Sequence, residues 1–138
     1  MLPISDQFSI VKQTVALEAE GESTVGKLAV LWVILNRARA REQSLHQVCW
    51  SKWQFSCWND MTHAINRLNK IDESIYEEIE KLIIGTQSDM VGYSDPTEGA
   101  TLYLNIEVTK QQRGGTLPNW VEKAIPTVKI GQHNFYRE

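Results

Sequence analysis

Apolar residues recur at Phe8, Val11, Val15 and Ala19, flanked by Ile10 and Leu17, within the stretch Asp6 to Glu20. That spacing predicts an amphipathic helix, and Gly21 ends it, because glycine is favoured just past a helix terminus. Ser23 or Thr24 then caps a second helix running to about Arg41. Its middle, Leu28 to Leu35, is apolar on every face, which predicts a central, buried helix. Ser44 caps a short turn through Val48. The segment Cys49 to Trp58 is rich in aromatics, and Gln54 and Ser56 alternate with Trp53, Phe55 and Cys57. It reads as a short hairpin or an irregular loop. Asn59 or Asp60 starts a helix to about Asn69. Asp72 caps another, with Ile75, Ile79, Leu82 and Ile83 on one stripe and Gly85 as its stop. Near the end, Thr127 to Ile130, Gly131-Gln132 and Asn134 to Tyr136 read as a hairpin. The expected fold class is α+β, mainly helical with a small β part, in one domain over residues 1–138.

Composition narrows the function. The 138 residues carry 14 Lys+Arg against 17 Asp+Glu, a formal charge of −3, and 42% are hydrophobic. This is a foldable globular chain, long enough for a core without metal or disulfide staples. A pI near 5.6 with no Lys/Arg run argues against nucleic-acid binding. The longest apolar run, Leu28 to Leu35, is far shorter than the ~20 residues of a membrane span. The first residues, Met-Leu-Pro-Ile-Ser-Asp, lack the basic and apolar regions of a secretory signal, so the expected site of synthesis is the cytoplasm. Cys49 and Cys57 are then expected as free thiols. A monomer is expected.

Chemistry concentrates in Glu18-Ala-Glu-Gly-Glu22, where three carboxylates lie within five residues at a helix end. Close carboxylates cannot all ionise cheaply, and the buried helix that follows adds desolvation, so Glu20 and Glu22 are expected to raise the pKa of Glu18. A carboxylic acid kept protonated near neutral pH suits general acid catalysis on a glycoside; a solvated acidic helix end is the plainer alternative. Trp58 and Trp120 sit in loop-like stretches where flat indoles suit sugar rings, or equally a satellite hydrophobic cluster. His46, His63 and His133 have no metal-ligand spacing, so neither a metal nor another cofactor is expected.

Several blocks resemble one family. Ala16 to Glu22, Gly26 to Val30 and Val33 to Arg37 are similar to the N-terminal signature of the spore cortex-lytic cell wall hydrolases. The likeness continues through Gln54 to Asn59, Asp95 to Ala100, Tyr103 to Asn105, Pro118 to Trp120 and Lys129 to Tyr136, in the family's order. The resemblance implies a peptidoglycan-cleaving catalytic domain with a fold like goose-type lysozymes and lytic transglycosylases. It implies that Glu18 is the catalytic acid and that Gln54, Phe55, Ser56 and Tyr103 line the cleft. Two positions depart: the family's Arg is Glu20, and the His usual before Tyr103 is Leu102. A bare catalytic domain without a leader is also how many phage endolysins look; they wait in the cytoplasm and reach the wall through a holin pore.

The leading expectation is a lytic transglycosylase acting on glycan strands. Glu18 protonates the oxygen between N-acetylmuramic acid and N-acetylglucosamine, then takes the proton of the muramoyl C6 hydroxyl. A hydrolytic muramidase or glucosaminidase needs a further carboxylate across the sugar, about 6.5–9.5 Å away in inverting enzymes; Glu22, Asp95 and Glu98 are the candidates. An amidase, or a non-catalytic wall-binding module using its tryptophans, are the remaining alternatives.

Overall fold

The computed structural model describes residues 6–51 and 55–138. A 3-10 turn, Asp6–Phe8, leads into α1 (Ser9–Ala19), followed by α2 (Thr24–Arg41), α3 (Leu45–Trp50), a 3-10 turn at Ser56–Trp58, α4 (Met61–Lys70) and α5 (Glu73–Gln87). Then come β1 (Leu102–Leu104), α6 (Ile106–Gln112), α7 (Trp120–Lys123), β2 (Ile125–Ile130) and β3 (His133–Arg137). The sheet is antiparallel in the order β1-β3-β2, and Tyr103 sits opposite Phe135. No helix among the described residues is long and apolar enough to cross a membrane.

The helix starts follow from local chemistry. Ser23 accepts from the Gly26 N–H at 3.1 Å, Asp60 from His63 at 3.1 Å and Asp72 from Ser74 at 2.8 Å, so each satisfies an amide that the helix leaves unpaired. Ser44 does the same for Gln47, whose side chain accepts from the Ser44 N–H at 2.7 Å in return. This reciprocal cap makes residues 45–50 a helix where a shorter turn was expected. It also places Cys49 and Trp50 on a helix rather than in a hairpin; Lys52, Trp53 and Gln54 lie outside the described residues.

α2 is the axis of the molecule. Leu28, Val30, Leu31 and Ile34 join residues of α1, α3 and α5 in the main core, while Ala29 and Val33 on the opposite face join Ala100 and Phe135 to hold the sheet. This is why the helix is apolar all round. Gly85 does not stop α5, which runs on to Gln87. It is glycine because the Tyr93 ring lies against it: a Cβ there would sit 2.3 Å from a ring carbon.

Two consecutive polar residues near the end of α2 place the β1 side of the sheet. Asn36, 3% exposed, donates to Asp95 Oδ2 at 2.8 Å and to the Ala100 carbonyl at 3.0 Å. Arg37 Nε donates to the Thr101 carbonyl at 2.8 Å. Asp95 in turn accepts from the Thr97 N–H and hydroxyl and from the Gly99 N–H, at 2.8, 2.6 and 3.0 Å. The segment 95–101 is thereby clamped to α2 and delivers β1, with Tyr103, to the end of α1.

Candidate active site

Glu18 lies one residue from the end of α1, half-buried, on the wall of an open groove of about 520 Å³. Glu20, Glu22, Arg67 and the β2–β3 turn at Gly131-Gln132 complete that wall. Gly131 adopts φ 59°, the left-handed region, and a Cβ there would lie 3.1 Å from Glu22 Oε2. The turn thus sits tight against the acidic loop. Lys27, buried on α2, fixes the loop from behind by donating to the Glu22 carbonyl at 2.7 Å and pairing with Glu78 at 2.9 Å.

The Tyr103 hydroxyl donates to Glu18 Oε1 at 3.0 Å, and the Cys57 thiol also hydrogen-bonds the carboxyl. Burial disfavours the charged carboxylate and raises the Glu18 pKa above the usual range. The Tyr103 and Cys57 hydrogen bonds, and then the charges of Arg67 and Arg37, pull it part of the way back. The balance is an acid that holds its proton at higher pH than an exposed glutamate, with two donors ready for the carboxylate left when the proton departs. Its own burial, and then the same carboxylate, push the Cys57 thiol up, which keeps it a protonated donor rather than a nucleophile.

Glu20 and Glu22, expected to tune Glu18, are directed elsewhere. Glu20 pairs with Arg67 at 2.8 Å, and Glu22 lies 3.4 Å from His133 Nδ1. The raised pKa of Glu18 comes from burial, not from repulsion within the cluster. The helix ends between the three residues, so their side chains leave in different directions.

The structure separates the other expected site residues. Tyr103 is at the site and packs edge-on against His133 with ring centroids 5.0 Å apart. Trp120 stands beyond Tyr103, lining a second cavity and packing edge-on against Tyr136 at 5.3 Å. Phe55, expected on the cleft wall, is instead a core residue, 2% exposed with the Arg37 guanidinium 5.0 Å from its ring centre; it offers no face to a sugar. Trp58 turns its indole N–H to Thr14 at 2.9 Å and braces α1 rather than the groove. Ser56 is exposed and does not line the groove wall, and Gln54 lies outside the described residues. Asp95 is consumed by the clamp described above, and Glu98 is exposed. Sequence reasoning missed Cys57, Arg67, Arg37 and His133 as neighbours of the site. They stand 19 to 115 positions from Glu18; Arg37, Cys57 and His133 fall inside the family-like blocks, but nothing in those blocks singles them out.

A mainly helical domain backed by a small antiparallel sheet, with the half-buried Glu18 carboxyl in a polar groove at their junction, defines a lysozyme-like domain. The chain belongs to the Cell Wall Hydrolase family, whose model matches residues 21–136, and it is a peptidoglycan-degrading enzyme. The matched span opens three residues past Glu18 and takes in Tyr103, Trp120 and His133. The fold is similar to the catalytic domain of the germination-specific lytic transglycosylase SleB from Bacillus anthracis, with a TM-score of 0.71 and 23% identity over 99% of this chain and 100% of that one. It is also similar to the catalytic domain of the Bacillus cereus SleB protein, at TM-score 0.67 and 22% identity over 99% and 95% of the two chains. No curated protein matches the chain significantly.

Proposed function

We propose that the protein is a lytic transglycosylase that cleaves the bond between N-acetylmuramic acid and N-acetylglucosamine, with Glu18 as acid and then base. The observation that carries this is the half-buried Glu18 carboxyl, raised in pKa by burial and held by Tyr103 at 3.0 Å on the wall of an open groove. The activity named for the Bacillus anthracis neighbour supports the same reading.

In the first step the Glu18 proton passes to the glycosidic oxygen as the bond from the muramoyl C1 breaks. The Tyr103 hydroxyl and Cys57 thiol stabilise the carboxylate that remains. In the second step the muramoyl C6 oxygen bonds to C1, and its proton returns to Glu18. The products are a free 4-hydroxyl on N-acetylglucosamine and a 1,6-anhydro muramoyl end, and the enzyme is regenerated without water. Transfer to a sugar hydroxyl asks for one carboxyl, and here Glu20 is paired with Arg67 while Glu22 faces His133 at 3.4 Å.

Hydrolysis is the second reading, because Glu22 shares the groove wall with Glu18. Mass spectrometry of muropeptides released from purified walls separates the two. Anhydro ends are expected. Reducing ends assign water as the nucleophile and overturn the transglycosylase reading, and free stem peptides with intact glycan overturn both.

A further inference from the structure

Behind Tyr103, away from the Glu18 groove, lies a cavity of about 550 Å³ between α2, β1 and α7 that the chemistry above does not use. Tyr103 and Trp120 supply aromatic walls. Arg37, Arg41 and Lys123 bring three cations against one carboxylate, Glu138, which pairs with Arg41 at 2.6 Å.

Arg37 is the informative member. It is 3% exposed, its Nε is committed to the Thr101 carbonyl, and its Nη1 has no hydrogen-bond partner. No carboxylate among the described residues forms an ion pair with it. Burial draws its pKa down to about 10, still far above neutrality, so the charge persists. The carboxylate charge that acts on it, Glu138, is already paired with Arg41, so the enclosed guanidinium has no contact ion pair of its own and is costly to hold. On a cavity wall that also carries Lys123, it gives the cavity a positive field and an unused donor.

We propose that this cavity is a subsite for a carboxylate of the stem peptide carried by the muramoyl residue, a proposal that rests on Glu18 acting on the glycan. The sugar backbone of peptidoglycan is neutral; its negative charge sits on the peptides attached through the lactyl group. Guanidinium and ammonium groups complement a carboxylate, and the indole of Trp120 offers an apolar face to the peptide's aliphatic part. Because Tyr103 lines this cavity and hydrogen-bonds Glu18 on the groove wall, a peptide seated here belongs to a muramoyl residue close to the bond that Glu18 protonates. The cavity therefore selects peptide-bearing glycan over bare glycan.

The test compares walls stripped of phosphate polymers by hydrofluoric acid with the same walls after their carboxylates are converted to methylamides by carbodiimide and methylamine. Wild-type kcat/KM for release of soluble fragments is expected to be at least about tenfold higher on the carboxylate walls. Lys123→Glu, on an exposed position, is expected to collapse that ratio, and Lys123→Gln to reduce it. Equal wild-type rates on the two substrates, or an unchanged ratio in both variants, overturn the subsite and leave the glycan-cleaving reading standing. Failure of the wild type to cut glycan in either material overturns that reading itself. A preference present on unstripped walls and lost on stripping assigns the cavity to phosphate and overturns the carboxylate.

Discussion

The two spaces on either side of Tyr103 have opposite charge. The groove carries Glu18, Glu20 and Glu22 against Arg67; the cavity carries Arg37, Arg41 and Lys123 against Glu138. A general acid loses its proton too readily if a cation stands free beside it. Here the cation on the groove side is engaged by Glu20 at 2.8 Å, and of the cavity's cations only Arg37 acts on Glu18, less than burial does. Burial can then dominate the titration of Glu18. The comparison teaches that charge is sorted by place in this site: carboxylates outnumber cations in the groove, and cations outnumber carboxylates in the cavity.

The largest effect that tests this division comes from Glu18→Gln. Wall-lytic activity is expected to fall at least ~10²-fold, measured as loss of turbidity of purified walls. The variant should also be at least as stable as wild type near neutral pH. A raised folded-state pKa means that ionising Glu18 costs folding free energy as pH rises above the unfolded-state value, and Gln escapes that cost. Melting curves should therefore converge below about pH 4, where an unfolded glutamate is itself protonated. Activity within a few-fold of wild type would remove Glu18 from the mechanism.

Next in size is Asp95→Ala, which releases the clamp that holds β1 against α2. Three donors from Thr97 and Gly99, and one from Asn36, lose their acceptor. The expected loss is about 2–3 kcal/mol in urea unfolding, since buried donors are left unsatisfied. Asp95 does not line the groove beside Glu18, so the surviving activity should keep the wild-type pH profile. A changed profile without loss of stability would instead give Asp95 a catalytic role.

Tyr103→Phe takes away a hydrogen bond that favours the carboxylate. The Glu18 pKa should rise further, and the alkaline limb of the activity profile, where the acid form is lost, should move up by about one pH unit. A limb that stays in place would mean that Tyr103 borders the two spaces without coupling them. The smallest effect is Glu20→Arg, which frees Arg67 and adds a cation. The limb should move down by a few tenths of a pH unit, and by less at high salt, because the position is exposed. An upward shift would contradict the insulating role of the Glu20–Arg67 pair.

Much of the scaffold was legible in the chain itself. The starts of α2, α4 and α5 follow from Ser23, Asp60 and Asp72, whose side chains cap amides two or three residues away. The burial of α2 follows from its unbroken apolar run. The short elements were not legible: β1 has three residues and no burial alternation, and α7 has four residues. Such pieces exist because the rest of the protein holds them, β1 through the clamp at Asp95 and its pairing with β3. Alternation in the aromatic segment suggested a hairpin, but the cap at Ser44 made a helix of its start, and Phe55 went to the core instead of the cleft.

For the site, the sequence by itself placed the proposed acid: a glutamate at the end of an amphipathic helix, followed by a glycine and a buried helix, lies within one stretch of chain, and the likeness to the cell wall hydrolases singled out Glu18 among its neighbours. It also determined that carboxylates would crowd beside it. Only the tertiary structure decided what each carboxylate does. Glu18 meets Tyr103, 85 positions away; Glu20 meets Arg67, 47 away; and Glu22 meets His133 from the closing hairpin. A side chain's pKa depends on solvent exclusion and on charges within a few ångströms. Local spacing sets the helix and its face, whereas packing between distant segments sets which charges become neighbours and which carboxyl is sealed from water.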